Sequence, residues 1–245
     1  MFRHVGKART ENHNRRIASL LSFVAGIVNV AGFLSIHRLT TNVTGHFAFL
    51  MEEVLAARWV GAAVFAFYLL SFLLGAFVAS LLIERVSVRG EQYVYAVPAS
   101  VEILILTCAG LGWRWLHAAP DVLACSLLFA MGLQNAMATS ISQARVRTTH
   151  LTGLFTDLGI ELSQLLFYKS AAQKARLHAS IRLRTTIIGF FFAGGIAGGL
   201  AYTRMESYVL VVAAALLLAG LVYDQLKVRV RLLARRFKGT RSYKP

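Results

Sequence analysis

The sequence predicts an all-α fold, that of a polytopic helical membrane protein. Of its 245 residues 57% are hydrophobic and only 15% are charged, whereas soluble domains have about 25% charged residues. Residues 17–36, 59–83 and 207–223 each run without a charged side chain. A helix crosses the roughly 30 Å hydrocarbon core of a bilayer with about 20 residues, so each of these runs has the length of a membrane span.

The 26 lysines and arginines are concentrated in three hydrophilic stretches. Five precede residue 17, five lie within 169–184 and eight lie within 227–245. Basic segments of membrane proteins stay in the cytoplasm and contact anionic lipid headgroups. We therefore predict cytoplasmic N- and C-terminal tails at 1–16 and 227–245, with anionic lipid headgroups as partners. Nucleic-acid binding is not predicted despite the net charge of +15, because 18 of the 26 basic residues lie in these stretches.

An internal repeat divides the membrane region into residues 17–118 and 119–226. Thr-Thr-Asn-Val-Thr-Gly-His-Phe at 40–47 aligns with Thr-Thr-His-Leu-Thr-Gly-Leu-Phe at 148–155, an offset of 108 residues, and the fourteen positions from residue 40 share seven identities. Residues 23–29 align with 129–135 at an offset of 106, and Gly75 aligns with Gly194 across a basic loop predicted at 169–184. Matches in Thr, Asn, Gly and Glu are rare by chance, so the pattern indicates a duplication.

Each half contains four apolar pieces, of which the second is short. The pieces are 17–36, 45–57, 59–83 and 93–113 in the first half, and 122–141, 153–168, 185–202 and 207–223 in the second. The first short piece would form a helix of only about 20 Å, and it carries Glu52 and Glu53, so it fits poorly as a lipid-facing span.

Two membrane topologies agree with these pieces. If the short pieces are re-entrant half-helices, about six full spans remain and the halves are inverted, as in many secondary transporters. In that arrangement 22 basic residues lie in the cytoplasm and four outside, whereas eight spans place 20 inside and six outside. The counts favour six spans, and eight spans with parallel repeats are the alternative.

Each short half-helix begins at a Thr-Gly pair that is predicted to border a solute site. Thr44 is the expected N-cap of the first, and Gly45 would allow close approach of a solute or of backbone. Non-helical backbone in a membrane is tolerated where it is buried in protein or faces a watery cavity, and helix N-termini attract anionic or hydrogen-bonding groups. A capped turn at the membrane surface is the alternative. The predicted substrate-binding residues are Asn29, Thr41, Thr44, Gly45, His46, Gln134, Asn135, Thr149, Thr152, Gly153 and Asp157.

Three acidic residues are predicted to couple a proton or an ion to transport. Glu53 and Glu161 lie at equivalent positions two helical turns after Thr-Gly, and Glu102 stands alone in the apolar run 93–112. Acidic groups at membrane depth normally face a cavity, a partner or a proton path. Solvated helix ends are the alternative for Glu53 and Glu161, and an arginine partner or a protonated state is the alternative for Glu102.

The remaining motifs indicate packing rather than catalysis. Mid-span amides hydrogen-bond between helices, and for the amides of the predicted site this packing role is favoured over solute contact. The glycines within 194–199 favour close helix packing or a homo-oligomeric contact, and Cys108 and Cys125 are predicted to pack as small residues in apolar segments. Because the sequence has no P-loop, zinc spacing, nucleophile elbow or dinucleotide fingerprint, we predict no enzyme activity, no metal and no cofactor.

At these same residues the chain resembles the YoaK family of bacterial membrane proteins, a domain of unknown function. Gly-Leu-Gln-Asn-Ala at 132–136 and Thr-Thr-x-x-Thr-Gly-x-x-x-Asp at 148–157 match the family pattern in full, and the resemblance covers residues 17–223. Asn29 stands where the family usually has Asp, and His46 where it usually has Asn. The resemblance implies an inner-membrane location. If that Asp carries a proton or a cation in relatives, this chain lacks the coupling.

Together these observations favour a permease or channel for a small-molecule solute, with its site between the two Thr-Gly motifs. A non-transporting membrane scaffold, which would bind a partner or lipid through its 18 clustered basic residues, is the alternative. A lipid-processing enzyme is less favoured, because the sequence supplies no acid pair or Ser/His cluster for it.

Overall fold

A computed structural model of the chain describes residues 11–88, 94–112, 118–142, 146–168 and 170–223. All regular structure within these residues is helical, which confirms the predicted fold class. The helices are α1 (Glu11–Ile36), α2 (Val43–Leu55), α3 (Trp59–Val88), α4 (Ala96–Leu111), α5 (Pro120–Ser142), α6 (Leu151–Phe167), α7 (Ala171–Met205) and α8 (209–223), with a 3₁₀ turn at Glu206–Tyr208.

The helices are those of a multi-pass membrane protein. Four stretches among the described residues are long and apolar enough to cross a bilayer, namely Asn12–Ile36, Trp59–Val88, Pro120–Ser142 and Ala171–Tyr223, the last of which includes the 3₁₀ turn. Ala96–Leu111 is a shorter apolar helix. The eight apolar pieces predicted from the sequence correspond in order to α1 through α8.

The stretch 169–184, predicted as a basic loop, is helical from Ala171 onward and forms the first part of α7. Its sequence favours a helix because Ala, Gln, Lys and Arg are good helix formers. Leu177 and Leu183 are also buried, since α6 packs against α7. The tails predicted at 1–16 and 227–245 lie outside the described residues, except that 11–16 belong to α1.

The long helices run alternately between two ends of the bundle. The Ser35 and Ser207 hydroxyls lie 2.9 Å apart, and Gly110 also lies against Ser207, so α1, α4 and α7 end together. We call this end the first face. The opposite end, where α5 ends at Ser142 and α7 begins, is the second face.

Helices α1 and α7 cross at two glycines, where their backbones touch. A Cβ atom on Gly26 would collide with the backbone of Phe191 and Gly195, and a Cβ atom on Gly194 would collide with the backbone of Phe23. Small residues allow membrane helices to approach closely and gain van der Waals contact. Of the two roles predicted for the glycines within 194–199, this contact agrees with close helix packing within the chain.

Helices α3 and α5 cross in the corresponding way. A Cβ atom on Gly75 would collide with the backbone of Phe129, and one on Gly132 would collide with the backbone of Phe72. Each of these four residues has its counterpart in the α1–α7 crossing at the offsets of 106 and 119 residues found in the sequence. The first helix of each half therefore packs on the third helix of the other half.

The first helix of each half, α1 or α5, is more deeply buried than α3. α1 and α5 form most of the interior, and 61% of each apolar window is buried, whereas only 22% of the α3 window is. Along α3 the side chains of Phe67, Leu73 and Phe77 are exposed. Because a bilayer is itself apolar, such a surface suits contact with lipid tails. The central helices α1 and α5 carry the amides of the predicted site.

Candidate functional site

The segment between α1 and α2 folds back along α1. Thr40 donates from Oγ1 to the Val28 carbonyl at 3.2 Å, and Thr41 donates from Oγ1 to Asn29 Oδ1 at 2.7 Å. Asn29 lies seven residues before the end of α1 at Ile36, which is about 10 Å along the helix axis. Helix α2 therefore begins inside the bundle, below the first face.

The segment between α5 and α6 has the same geometry at the other end. Gln134 Nε2 donates to Thr148 Oγ1 at 3.0 Å, and Asn135 Nδ2 donates to Thr149 Oγ1 at 2.6 Å. Asn135 lies seven residues before the end of α5 at Ser142, so α6 begins inside the bundle on the side of the second face. The threonines and their partners in the two halves are related by the same offsets of 108 and 106 residues.

A cavity of about 440 Å³ lies between the two folded-back segments. Its volume is in the range of small-molecule sites, roughly 300–1,000 Å³. Fourteen of its fifteen lining residues form seven pairs at the offsets of 106, 108 and 119 residues. The pairs are Asn29 with Asn135, Leu39 with Arg147, Thr41 with Thr149, Asn42 with His150, Val43 with Leu151, Thr44 with Thr152 and Phe72 with Phe191, and Thr139 is the fifteenth residue.

Six of the predicted substrate-binding residues line this cavity, and five do not. Those that line it are Asn29, Thr41, Thr44, Asn135, Thr149 and Thr152. Gly45, His46, Gln134, Gly153 and Asp157 lie behind its wall or in a neighbouring recess.

The N-cap of α2 is Asn42 and not Thr44, which corrects the prediction. The helix begins at Val43, one residue before Thr44, and Asn42 Oδ1 accepts from the Gly45 amide at 3.0 Å. An Asn side chain at this position satisfies a first-turn amide as well as Thr does. The Thr44 side chain is thereby left for the cavity. A Cβ atom on Gly45 would meet the side chains of Leu39 and Asn42, and one on Gly153 would collide with the side chain of His150.

His46 and Gln134 hold the wall of the cavity from behind. The His46 ring is buried, its Nε2 lies 2.5 Å from the Leu39 carbonyl oxygen, and its centroid lies 5.0 Å from that of Tyr68. Gln134 is fully buried and donates to the Leu21 carbonyl and to Thr148. His46 thus holds the carbonyl of Leu39, which lines the cavity, and Gln134 holds Thr148, which precedes the lining residue Thr149.

The acidic residues of the short helices form ion pairs away from the cavity. Glu53 accepts two hydrogen bonds from Arg58, both of 2.9 Å. Arg184 of α7 joins Asp157 at 2.7 Å and Glu161 at 3.0 Å, and Ser180 donates to Glu161. These acids therefore have arginine partners. Within the described residues, no group of three or more His, Cys, Asp or Glu could hold a metal ion.

Glu102 lies in α4, fully buried and apart from the cavity. Neither oxygen of its carboxyl group has a hydrogen-bond partner among the described residues. An unpartnered buried acid is costly in its charged form. Glu102 is not among the residues that line the cavity.

A second recess of about 1,060 Å³ adjoins the cavity on the side of the second face. Arg147 and His150 line both spaces. The recess lies between α6 and the first turns of α7, and Arg176 and Arg184 line its far side with Asp157. The cavity therefore borders a recess rich in arginine.

A polar network ties three elements together near the first face. Arg38 Nε donates to the Tyr68 hydroxyl at 3.4 Å, and that hydroxyl donates to Asp121 at the start of α5. Arg38 also lies over the Phe65 ring, 5.9 Å from its centroid. These contacts connect the α1–α2 segment to α3 and to the start of α5.

Sequence reasoning missed several residues of the cavity, above all Arg147. The Thr-Thr motif was read from Thr40 and Thr148, and one residue upstream the same offset pairs Leu39 with Arg147. Because a leucine and an arginine are not alike, this pair adds no match to the alignment of the two halves. Phe72 and Phe191 could have been found by extending the offset of 119 residues upstream of Gly75.

The comparisons place the chain among proteins whose activity is not assigned. It is 26% identical over 218 residues to the UPF0700 transmembrane protein YoaK of Bacillus subtilis (strain 168), a match that covers 88% of this chain and 96% of the relative. No solved structure matches the chain. Residues 17–223 match the family described as "Protein of unknown function (DUF1275)". Because that match covers most of the sequence, the chain belongs to the DUF1275 family of membrane proteins.

Proposed function

We propose that this protein is a permease or channel for small solutes and that the 440 Å³ cavity is its solute site. The observation that carries the proposal is the composition of the cavity wall, to which both halves contribute equivalent residues. In secondary transporters with internal repeats, the solute binds at the interface between the repeats, near discontinuous helices. Here two helices begin inside the bundle at that interface.

The lining supports binding of a polar solute. The hydroxyl groups of Thr44 and Thr152 offer donors and acceptors from both halves of the cavity wall, and the Asn29 amide adds a donor. The first backbone N–H groups of α2 and α6 have no partner within their helices. Phe72 and Phe191 supply apolar walls. A few polar groups in a mainly apolar pocket are typical of small-molecule sites.

We further propose six spans in two inverted halves, with the second face in the cytoplasm of a bacterium. The equivalent glycine crossings and cavity pairs support a duplication, and the fold-back of both segments supports half-helices that do not cross the membrane. Among the described residues, Arg147, Lys174, Arg176, Arg182 and Arg184 lie toward the second face. Basic residues favour the cytoplasmic side.

The proposal is tested by flux measurements on threonine variants. Purified protein in proteoliposomes is assayed with radiolabelled succinate, inorganic phosphate, glutamine and succinamide, and the fastest probe is then measured for Thr44→Val and Thr152→Val. Valine keeps the shape but removes the hydroxyl, so we expect the flux to fall about tenfold in each variant. Thr107→Val is the matched control, because within the described part of the chain Thr107 of α4 donates only to the Ile103 carbonyl of its own helix.

Two results would count against the assignment. Wild-type flux no greater than that of empty vesicles for every probe would refute transport. Normal flux in both cavity variants would refute the site. Capture of a partner at equal stoichiometry, together with absent flux, would favour the scaffold that the basic residues also suggest.

A further inference from the structure

One pair in the cavity wall breaks the equivalence of the two halves by charge. Of the seven pairs, only Leu39 with Arg147 sets a permanently charged side chain against an apolar one. Among the described residues, no aspartate or glutamate lines the cavity. The wall is therefore neutral on the side of the first half and cationic on the side of the second.

The charge of Arg147 is not compensated by a neighbour among the described residues. The ion pairs in this part of the protein join Arg184 to Asp157 and Glu161, and none includes Arg147 or Arg176. Arg147 lies at the junction of the cavity and the recess, since it lines both. An anion that approaches from the second face would thus pass the guanidinium groups of Arg147 and Arg176, which have no acidic partner among the described residues, before it reaches the cavity.

The field inside the cavity has the same sign. α2 and α6 both begin at the cavity wall, and the N-terminus of a helix carries a partial positive charge together with free N–H groups. A partly enclosed site with walls of low dielectric strengthens these interactions and concentrates ions of the opposite charge. A guanidinium group offers paired donors that match the two oxygens of a carboxylate or a phosphate.

We infer that the solute is a small oxyanion, with carboxylate or phosphate-type oxygens, and that Arg147 binds it where the cavity meets the recess. The claim that this anion is the transported solute rests on the proposed function. The anion site itself does not depend on transport, because binding is measured separately. The same chemistry is offered by a free anion and by the headgroup of an anionic lipid, and the vesicle composition separates these sources.

The test compares anionic and neutral probes of similar shape. Flux of succinate, inorganic phosphate and the neutral succinamide is measured in vesicles of phosphatidylcholine alone and in vesicles that also contain phosphatidylglycerol. The variants are Arg147→Gln, which removes the charge, and Arg147→Lys, which keeps it. Arg204→Gln is the control, because Arg204 is exposed at the end of α7, outside the cavity. Thermal unfolding with added phosphate or succinate reports binding without transport.

We expect at least one oxyanion to move faster than succinamide, and Arg147→Gln to slow that oxyanion about tenfold or more, as for a lost hydrogen bond to a charged group. Oxyanion flux in Arg204→Gln should stay within about twofold of wild type. Arg147→Gln should slow succinamide much less than it slows the oxyanion, and Arg147→Lys should recover part of the loss. The anion should raise the unfolding temperature of wild type but not of Arg147→Gln, and the unfolding curve without ligand shows that each variant is folded.

The outcomes separate this inference from the proposed function. If succinamide moves as fast as the anions, or if Arg147→Gln keeps the wild-type preference, the oxyanion assignment is wrong while the permease stands. If the anions stabilise only wild type but no probe moves, the anion site stands and transport is refuted. If the effect of Arg147→Gln appears only with phosphatidylglycerol, Arg147 binds a lipid headgroup and the inference is overturned.

Discussion

Replacing Gly132 with alanine should destabilise the protein, because the backbone of α3 occupies the place of the new methyl group. A Cβ atom at this position would lie 2.9 Å from the Phe72 carbonyl carbon and 3.1 Å from its Cα, and closer still to its carbonyl oxygen. Real Cβ atoms do not make such contacts, so α3 and α5 must move apart. A flexible side chain could rotate away, but these atoms belong to helix backbone.

The expected loss follows from that geometry. Overpacking of a core costs about 1–3 kcal/mol, and the upper half of that range applies here because the obstacle is rigid. For a chain of this size, about 2–3 kcal/mol corresponds to a fall of roughly 4–12 °C in the unfolding temperature. Gly26, Gly75 and Gly194 make equivalent contacts and should respond by similar amounts.

The assay is thermal unfolding of purified variants in one detergent, with glycines outside the crossings as controls. A Cβ atom at Gly159 of α6 or Gly189 of α7 would meet nothing within 4 Å. Alanine is also a better helix former than glycine by about 1 kcal/mol. Gly159→Ala and Gly189→Ala should therefore be neutral or stabilising. Equal unfolding temperatures for Gly132→Ala and Gly159→Ala would show that the crossing is not as close as described.

Two further predictions concern the short helices. Arg184→Gln should destabilise the protein by about 1–2 kcal/mol, because Glu161, whose side chain is only 13% exposed, loses its cation. The double variant with Glu161→Gln should recover part of that loss, and an additive result in this cycle of thermal unfolding measurements would contradict the pairing. Asn42→Ala should cost about 1 kcal/mol through loss of the α2 N-cap, whereas Thr44→Ala, measured alongside it, should cost less than half as much if Asn42 is the cap.

Much of the fold could be predicted because hydrophobicity and repetition are local properties of the sequence. The apolar pieces located the helices, and the shared Thr-Thr motif placed Thr41 and Thr149 at the starts of the two short helices. The contacts of these threonines with Asn29 and Asn135 were not predicted, although amides within membrane helices commonly hydrogen-bond to neighbouring segments. These are residues whose chemistry restricts their surroundings.

Other features could not be predicted because they depend on contacts with distant parts of the chain. His46 looked like a solute ligand, yet packing against Tyr68 and the Leu39 carbonyl buries it behind the wall. The basic stretch before Arg184 looked like a loop, yet Leu177 and Leu183 give it an apolar face that becomes buried in the packed helices. The neighbouring residues in the sequence do not show whether His46 faces the cavity or is buried behind it, or whether the basic stretch forms a loop or a packed helix.

Arg147 shows a different limit. Taken alone, it is one more basic residue near a helix end, and such residues usually signal topology. Its place at the junction of two spaces becomes apparent only when α5, α6 and α7 are assembled. A comparison of the two halves reveals the residues they share, and so it does not draw attention to Arg147, which differs from Leu39.

Thiol block of the cavity would test the central claim most directly. Thr44→Cys and Thr152→Cys are prepared in a background in which the two free cysteines, Cys108 and Cys125, are replaced by serine, and solute flux is measured before and after reaction with a small thiol reagent. If the cavity between the half-helices is the solute site, modification of either cysteine should reduce flux to the level of empty vesicles, while Thr107→Cys should keep its flux. Complete modification of either cavity cysteine with undiminished flux would contradict the account.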